Sequence, residues 1–310
     1  MSTNKNNQKK KIALLLCSTG NEAFAVGNVI IGAKKYLFQN LKDEEYDIIF
    51  YTNKLEPNDE KALKTIFPRI IIKIYKSPFS KKMMQLKELN NFSVFAYARF
   101  EAFNMLDDYQ KVFYADTDIV IQKDISHLIN LDFELYTTLS NISIRNSAQT
   151  KQTIPILEKT KYNIDCNSFY DGNIIISDKI KDYKNITEWC YKKTEEYITN
   201  DLVILNLVCQ EFDIKLLDAK ETFCCFPNSE IANDAHIIHA IGPAKFWRGT
   251  YNKFWEENNK VWIEAGGGQT YRQNNAERKK IDKIVWWIPT FKLRDKVRRY
   301  LLRKSGLTGR

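Results

Sequence analysis

The stretch KVFYADTDIVI, residues 111–121, decides how this chain is read. Val112, Phe113 and Tyr114 run into Asp116 and Asp118, after which Ile119, Val120 and Ile121 resume the apolar run. Along a strand alternate residues point to opposite faces, so the two carboxylates are expected on one side. Like charges on one face repel unless they are protonated or bridged by a cation. A hard divalent ion with oxygen ligands, Mn²⁺ or Mg²⁺, resolves that repulsion and also binds phosphate oxygens. If the strand proper covers 111–115, the pair lies at its carboxyl end, where parallel α/β sheets bind ligands. The pair alone does not settle a metal site. A chain with nineteen Asp yields one such pair by chance, and Asp at a strand end commonly starts a turn.

Working outward, short apolar runs alternate with helical patterns. KIALLLC (11–17), ended by the turn signal STGNE, reads as a buried strand, YDIIFYTN as a second and IIIKIY (70–75) as a third. A helical segment reaches about Phe38, and another is expected from about Lys82 to Leu106. Strands alternating with helices predict an α/β fold with a mostly parallel sheet. Beyond Asp124, LDFELYTTL reads as a strand, residues 140–168 as a loop region with short helices, and DGNIIIS as a strand entered from a tight turn. EWCYKKTEEYI and DLVILNLVCQEF are helical, and IKLLDAK is a short strand. Residues 1–10 are polar and expected to be disordered, residues 11–265 form the globular domain, and GGG with QTYRQNNAE opens a linker into the tail over 266–310.

Composition narrows the function classes. Apolar residues are 44% and charged residues 27% of the chain, a globular balance that excludes wholesale disorder. The net charge of +9 suggests nucleic acid until it is located. Twelve Lys or Arg and two acids lie between Arg278 and Arg310, leaving residues 1–277 near neutrality, at about −1. Six cysteines without a C-x-x-C pair or zinc spacing read as free thiols in a reducing cytosol. No apolar stretch approaches the ~20 residues of a transmembrane helix, so the chain is expected to be cytoplasmic with at most peripheral membrane contact.

The carboxylate pair finds a complement in HAIGPAKFW, residues 239–247. His239 can supply an imidazole to the same metal, which suits Mn²⁺ better than Mg²⁺. Gly242 permits close backbone approach to a ligand, Lys245 offers a mobile charge for a phosphate, and Trp247 can wall the pocket. A histidine at a strand end beside a solvated lysine is the plainer alternative. The joint pattern H-x-x-G-x-x-K-x-W is more specific than either half.

Together, YARFEAFNMLDDYQKVFYADTDIVIQKDI and HAIGPAKFW resemble family 8 glycosyltransferases, retaining enzymes that include bacterial lipopolysaccharide galactosyl- and glucosyltransferases. The resemblance covers about residues 11–265. It implies a GT-A fold, a Rossmann-like mixed sheet flanked by helices, with Mn²⁺ as cofactor and a UDP-sugar as donor. By match, Asp116, Asp118 and His239 are the metal ligands, Gly242 and Lys245 contact the diphosphate, and Arg99 lies beside the nucleotide and donor sugar. DLVILN (201–206) keeps the Asp201 and Asn206 of the family's D-Q-D-x-L-N segment, but Leu202 and Val203 replace the Gln and second Asp. Leu202 cannot act as a nucleophile under the anomeric carbon. Asp201 also reads as an N-cap after ITN. In YDGNIII, Asp171 stands at a family Asn, reading either as a ligand of sugar hydroxyls or as a turn residue beside Gly172. The first loop, CSTGNEAF, keeps Asn21 but has Thr19 and Gly20 where an acidic residue is common; Thr19 and Asn21 are the nucleotide-binding candidates there.

The tail, KIVWWIPTFKLRDKVRRYLLRK, places Trp286, Trp287 and Phe291 ahead of Leu293, Val297, Tyr300 and Leu301 at helical spacing, with Lys and Arg opposite. A basic amphipathic helix with Trp at its start fits an anionic membrane interface. A helix packed on the core is the plainer alternative, and the neutral body offers no groove for nucleic acid. The family's lipopolysaccharide members have similar tails, which implies a saccharide or lipid-linked saccharide acceptor at the inner face of the membrane. Two other functions compete. A sugar-phosphate nucleotidyltransferase needs a Gly-rich, basic first loop, which CSTGNEAF does not supply. A membrane-associated sugar-nucleotide-binding protein, impaired by Leu202, needs only the binding residues.

Overall fold

A computed structural model describes residues 9–80, 93–148, 152–242, 245–248, 250–268 and 280–304. The expected disorder of residues 1–8, the helix over 82–92 and the linker over 269–279 lie outside the described residues.

The apolar run KIALLLC becomes β1 (Lys10–Cys17), buried on both faces as a central parallel strand must be. Ile12, Leu14 and Leu16 join one core with α1 (Ala23–Tyr36) and α2 (Pro57–Ile66). Ala13, Leu15 and Cys17 join a second core with residues 94–107, α3 (Ile186–Tyr197) and α4 (Asp201–Glu211). The period-2 alternation of one strand thus builds two helical layers around one sheet.

That sheet has the order β10-β6-β9-β4-β1-β2-β3. Its other strands are β2 (Tyr46–Thr52), β3 (Ile71–Ile74), β4 (Tyr109–Ala115), β6 (Leu135–Thr137), β9 (Asn173–Ser177) and β10 (Leu216–Asp218). Neighbours pair parallel except β9, which is antiparallel to both β4 and β6. From β1 the chain steps outward to β2 and β3, and β4 then returns to the other side of β1. The order reverses between β1 and β4, and the carboxyl ends there form the crevice where α/β sheets bind ligands.

At that crevice the strand proper ends at Ala115, as the 111–115 reading has it, and the whole run 111–121 is not one strand. The chain leaves the sheet after Ala115, turns through residues 116–118, and enters a second, three-stranded sheet as β5 (Ile119–Ile121). β12 (Ile237–His239) pairs antiparallel with β5, setting His239 opposite Ile119, and β11 (Cys224–Cys225) flanks it. The two aspartates converge because of a turn between sheets, not because of alternation along a strand.

Other departures are local. Residues 94–107 are a chain of short helical turns rather than one helix. Within 140–168 a small sheet forms from β7 (Leu139–Ser143) and β8 (Asn167–Phe169), beside the expected short helices. α5 (Lys253–Glu264) packs on α1. Glycines 266–268 do not open a free linker: Trp262 Nε1 donates to Gly268 O at 3.0 Å and Gly268 N–H to Asp59 Oδ1 at 2.6 Å. The tail forms two helical stretches, residues 280–286 and α6 (Phe291–Lys304), joined through Ile281, Val285, Ile288, Val297 and Leu301. Ile284, Trp286, Trp287, Leu293 and Tyr300 remain exposed, Trp287 at 85%. Among the described residues no helix is long and apolar enough to cross a membrane.

Candidate active site

Asp116 is the first residue past β4, and its N–H donates to Gly172 O at 2.7 Å. Its Oδ1 accepts from Tyr114 Oη–H at 2.5 Å and from an Arg99 terminal N–H at 3.0 Å. Its Oδ2 lies 3.5 Å from His239 Nε2. Asp118 is buried, with Oδ1 3.1 Å from the same His239 nitrogen and Oδ2 paired with Lys245 Nζ. The Ala240 N–H, donating to Asp118 O at 2.9 Å, locks the two strand ends together.

One donor atom from each of Asp116, Asp118 and His239 lies within 4.8 Å of the others. Two carboxylate oxygens and an imidazole nitrogen are a donor set suited to Mn²⁺. Gly172 seals the back of the set: a Cβ there would come within 2.3 Å of His239 Cε1 and 2.7 Å of Asp116 Oδ2. Burial works against the charged forms here, yet it loses to the charge partners. His239 and Lys245 hold the Asp118 carboxyl well below its usual range, and Asp118 raises the His239 imidazole.

The sugar-end candidates gather on Arg99, whose side chain is buried. Its guanidinium pairs with Asp116, with Asp171 Oδ2 at 2.6 Å and with Asp201 Oδ2 at 3.0 Å, and stacks 4.4 Å from the Tyr114 ring centroid. Arg99 also donates to the backbone carbonyls of Ala96 and Asp171, both within 2.9 Å. Burial raises Asp171 to about 8, Arg99 opposing and the neighbouring Asp201 and Asp116 adding to the rise. Burial thus favours the neutral form of this carboxyl. Asp201 is not the helix cap: Asn200 is, its side chain accepting the Val203 N–H at 2.9 Å. Asn206 is structural, accepting the Phe169 N–H at 3.0 Å and so tying α4 to β8. Leu202 is half-buried beside Asp201.

Thr19 and Asn21 stand on the loop after β1, on the same carboxyl edge, but make no hydrogen bond or ion pair with this cluster. Gly20, between them, is held by Asn53 Oδ1 at 2.9 Å. Gly242 is exposed, with φ +67° and nothing within 4 Å of a would-be Cβ, so its glycine serves the backbone conformation. Two site residues escaped the sequence reading. Tyr114 was counted into an apolar run, although its place two residues before Asp116 puts both on one side of the strand end. Gly172 was read only as a turn residue. Two clefts of about 310 and 400 Å³ open instead at the amino ends of the strands, lined by Lys11, Asp124 and His127 in one and by Phe133, Lys179 and Lys215 in the other. They bring no part of the cluster together.

The profile of glycosyl transferase family 8 matches residues 3–250. No curated protein sequence matches the chain. Among solved structures, the WbbM bifunctional glycosyltransferase superposes with a TM-score of 0.61 at 16% identity, covering 90% of this chain and 53% of that one. This chain thus spans about half the length of that relative. Galactosyltransferase LgtC, solved with donor and acceptor sugar analogs, gives 0.54 at 15% identity, covering 82% of this chain and 95% of that one. GlyE of Streptococcus pneumoniae TIGR4 gives 0.52 at 13% identity, covering 86% and 66%. At these identities the likeness is one of fold, a mixed α/β GT-A sheet flanked by helices.

Gly172→Ala should push His239 and Asp116 apart and weaken Mn²⁺ binding about tenfold or more, read by calorimetric titration. Asp171 binds its proton more tightly folded than unfolded, so its stabilising contribution is full below about pH 4 and is lost as pH rises to about 8. In metal-free protein the thermal midpoint should therefore fall with pH across that window, and Asp171→Asn should flatten the slope.

Proposed function

This chain belongs to glycosyl transferase family 8, and from that premise we propose that it moves a hexose, galactose or glucose, from a UDP-sugar to a saccharide hydroxyl with retention of configuration. The observation that carries the proposal is the meeting of Asp116, Asp118 and His239 at the switch point of the sheet, with Lys245 beside them. These three residues would hold Mn²⁺, with Mg²⁺ as the substitute. When bound, the ion supplies positive charge to the departing diphosphate, more in the transition state than in the ground state. Lys245 would exchange Asp118 for the diphosphate, and the positive φ of Gly242 would let the loop backbone approach it. Thr19 and Asn21, on the loop after β1, would take the nucleoside.

At the sugar end, Arg99 fixes Asp171 and Asp201 in place, and both serve as the catalytic candidates there. Asp171, whose neutral form burial favours, would donate to a sugar hydroxyl. Leu202 supplies no nucleophile, which leaves carboxyl oxygens of this pair, or oxygens of the substrates, to meet the oxocarbenium-like carbon. The likeness in fold to LgtC, a galactosyltransferase, favours galactose. A bacterial lipopolysaccharide, lipooligosaccharide or capsule precursor is the acceptor class that the basic aromatic tail suits. Exposed Trp286 and Trp287 beside Arg294 and Arg298 would seat the cytoplasmic enzyme on an anionic membrane face. Each basic residue near such a surface contributes about 1 kcal/mol.

Purified protein should release UDP from UDP-galactose or UDP-glucose only when Mn²⁺, or Mg²⁺ in its place, is present. Tight UDP binding without turnover of any sugar nucleotide would favour instead the impaired binding protein that Leu202 raises. Asp118→Asn should abolish Mn²⁺-dependent UDP binding; unchanged affinity would refute the metal assignment. Removing residues 278–310 should abolish sedimentation with anionic vesicles yet leave donor hydrolysis, whereas persistent sedimentation would sink the role of the tail.

A further inference from the structure

We infer that Tyr114 is a positioning residue for the metal site: its phenol pins one oxygen of Asp116 so that the other faces the metal. The inference rests on the metal-site reading above and concerns a residue which that reading leaves without a role.

Asp116 stands just beyond the last paired residue of β4, with its side chain a quarter exposed. A carboxylate so placed can rotate and exchange its oxygens. Here they are not equivalent. Oδ1 accepts the Tyr114 O–H at 2.5 Å and an Arg99 N–H at 3.0 Å, while Oδ2 faces His239 Nε2. Arg99 alone cannot set this orientation firmly, because it divides its donors among Asp116, Asp171 and Asp201. Tyr114 donates to Asp116 alone among the described residues.

The tyrosine is also well fixed. It lies on β4, paired with Leu15 of β1 on one side and Ile174 of β9 on the other, and is 1% exposed. Its ring is held beneath the Arg99 guanidinium. A rigid donor on the central strand of the seven-stranded sheet thus transmits the position of the sheet to the ligand atom, as outer hydrogen bonds do for metal ligands generally.

Tyr114→Phe keeps the ring under Arg99 and removes only the donor. Its Mn²⁺ dissociation constant, measured with the metal alone by the electron paramagnetic resonance signal of free Mn²⁺, should rise about 10- to 100-fold. UDP affinity without metal should not change. The discriminating measurement is the double variant. If Tyr114 acts through Asp116, adding Tyr114→Phe to Asp116→Asn should weaken Mn²⁺ no further, because the two changes remove one interaction. Unchanged Mn²⁺ affinity in Tyr114→Phe, or fully additive losses in the double variant, overturns the inference. Failure of the unaltered chain to bind Mn²⁺ overturns the metal-site reading itself and this inference with it.

Discussion

Everything at the carboxyl edge depends on the crowding of four carboxylates, Asp116, Asp118, Asp171 and Asp201, around the end of β4. Such a cluster cannot form unless its charge is matched, and the fold matches it in two ways. Arg99, buried beneath the cluster, answers three of the four with one planar fork. His239 and Lys245 answer Asp118 from the other side. The excess charge that remains is disposed of by protonation, which burial drives at Asp171. The group around His239 and the group around Arg99 are therefore one electrostatic unit, joined through Asp116, which belongs to both.

Much of this unit was legible in the sequence. The apolar runs at 11–17, 46–52 and 109–115 announce parallel strands because a strand buried on both faces has no polar alternation to confuse it. Asp116, Asp118 and His239 stand out in the sequence because their residue types are chemically costly where they lie, and the structure brings them within reach of one another. Their mutual placement was reached by a partly wrong route. Period-2 alternation was invoked, but the chain turns between two sheets at 116–118, and the pairing of β5 with β12 is what delivers His239. Antiparallel pairing across more than a hundred residues leaves no local trace in a sequence.

The residues that escaped were those whose role is geometric rather than chemical. Gly172 matters through the side chain it lacks, and Tyr114 through one hydroxyl on an otherwise apolar ring. Neither disturbs the hydropathy pattern, so neither announces itself. The assignment of Asp201 as a helix cap failed for a related reason. Asn200 and Asp201 are both good capping residues, and only the burial of Asp201 against Arg99 decides which of them serves the backbone.

Two of the departures from the family pattern, Leu202 for Gln and Asp171 for Asn, become coupled once Arg99 is in view. An Asn at 171 would carry no charge and an Asp carries one only when ionised, so a protonated Asp171 supplies much the same hydrogen bonding to Arg99 and Asp201 as an amide would. The substitution thus adds a titratable group without breaking the neutral packing of the cluster. Leu202, one residue beyond Asp201, removes a polar side chain from the same end of α4. Polar capacity at the sugar end has been taken from the helix and remains with the carboxyls that Arg99 holds. Burial and the neighbouring carboxylates raise the affinity of Asp171 for its proton, a response to its surroundings that an Asn at that position would not have.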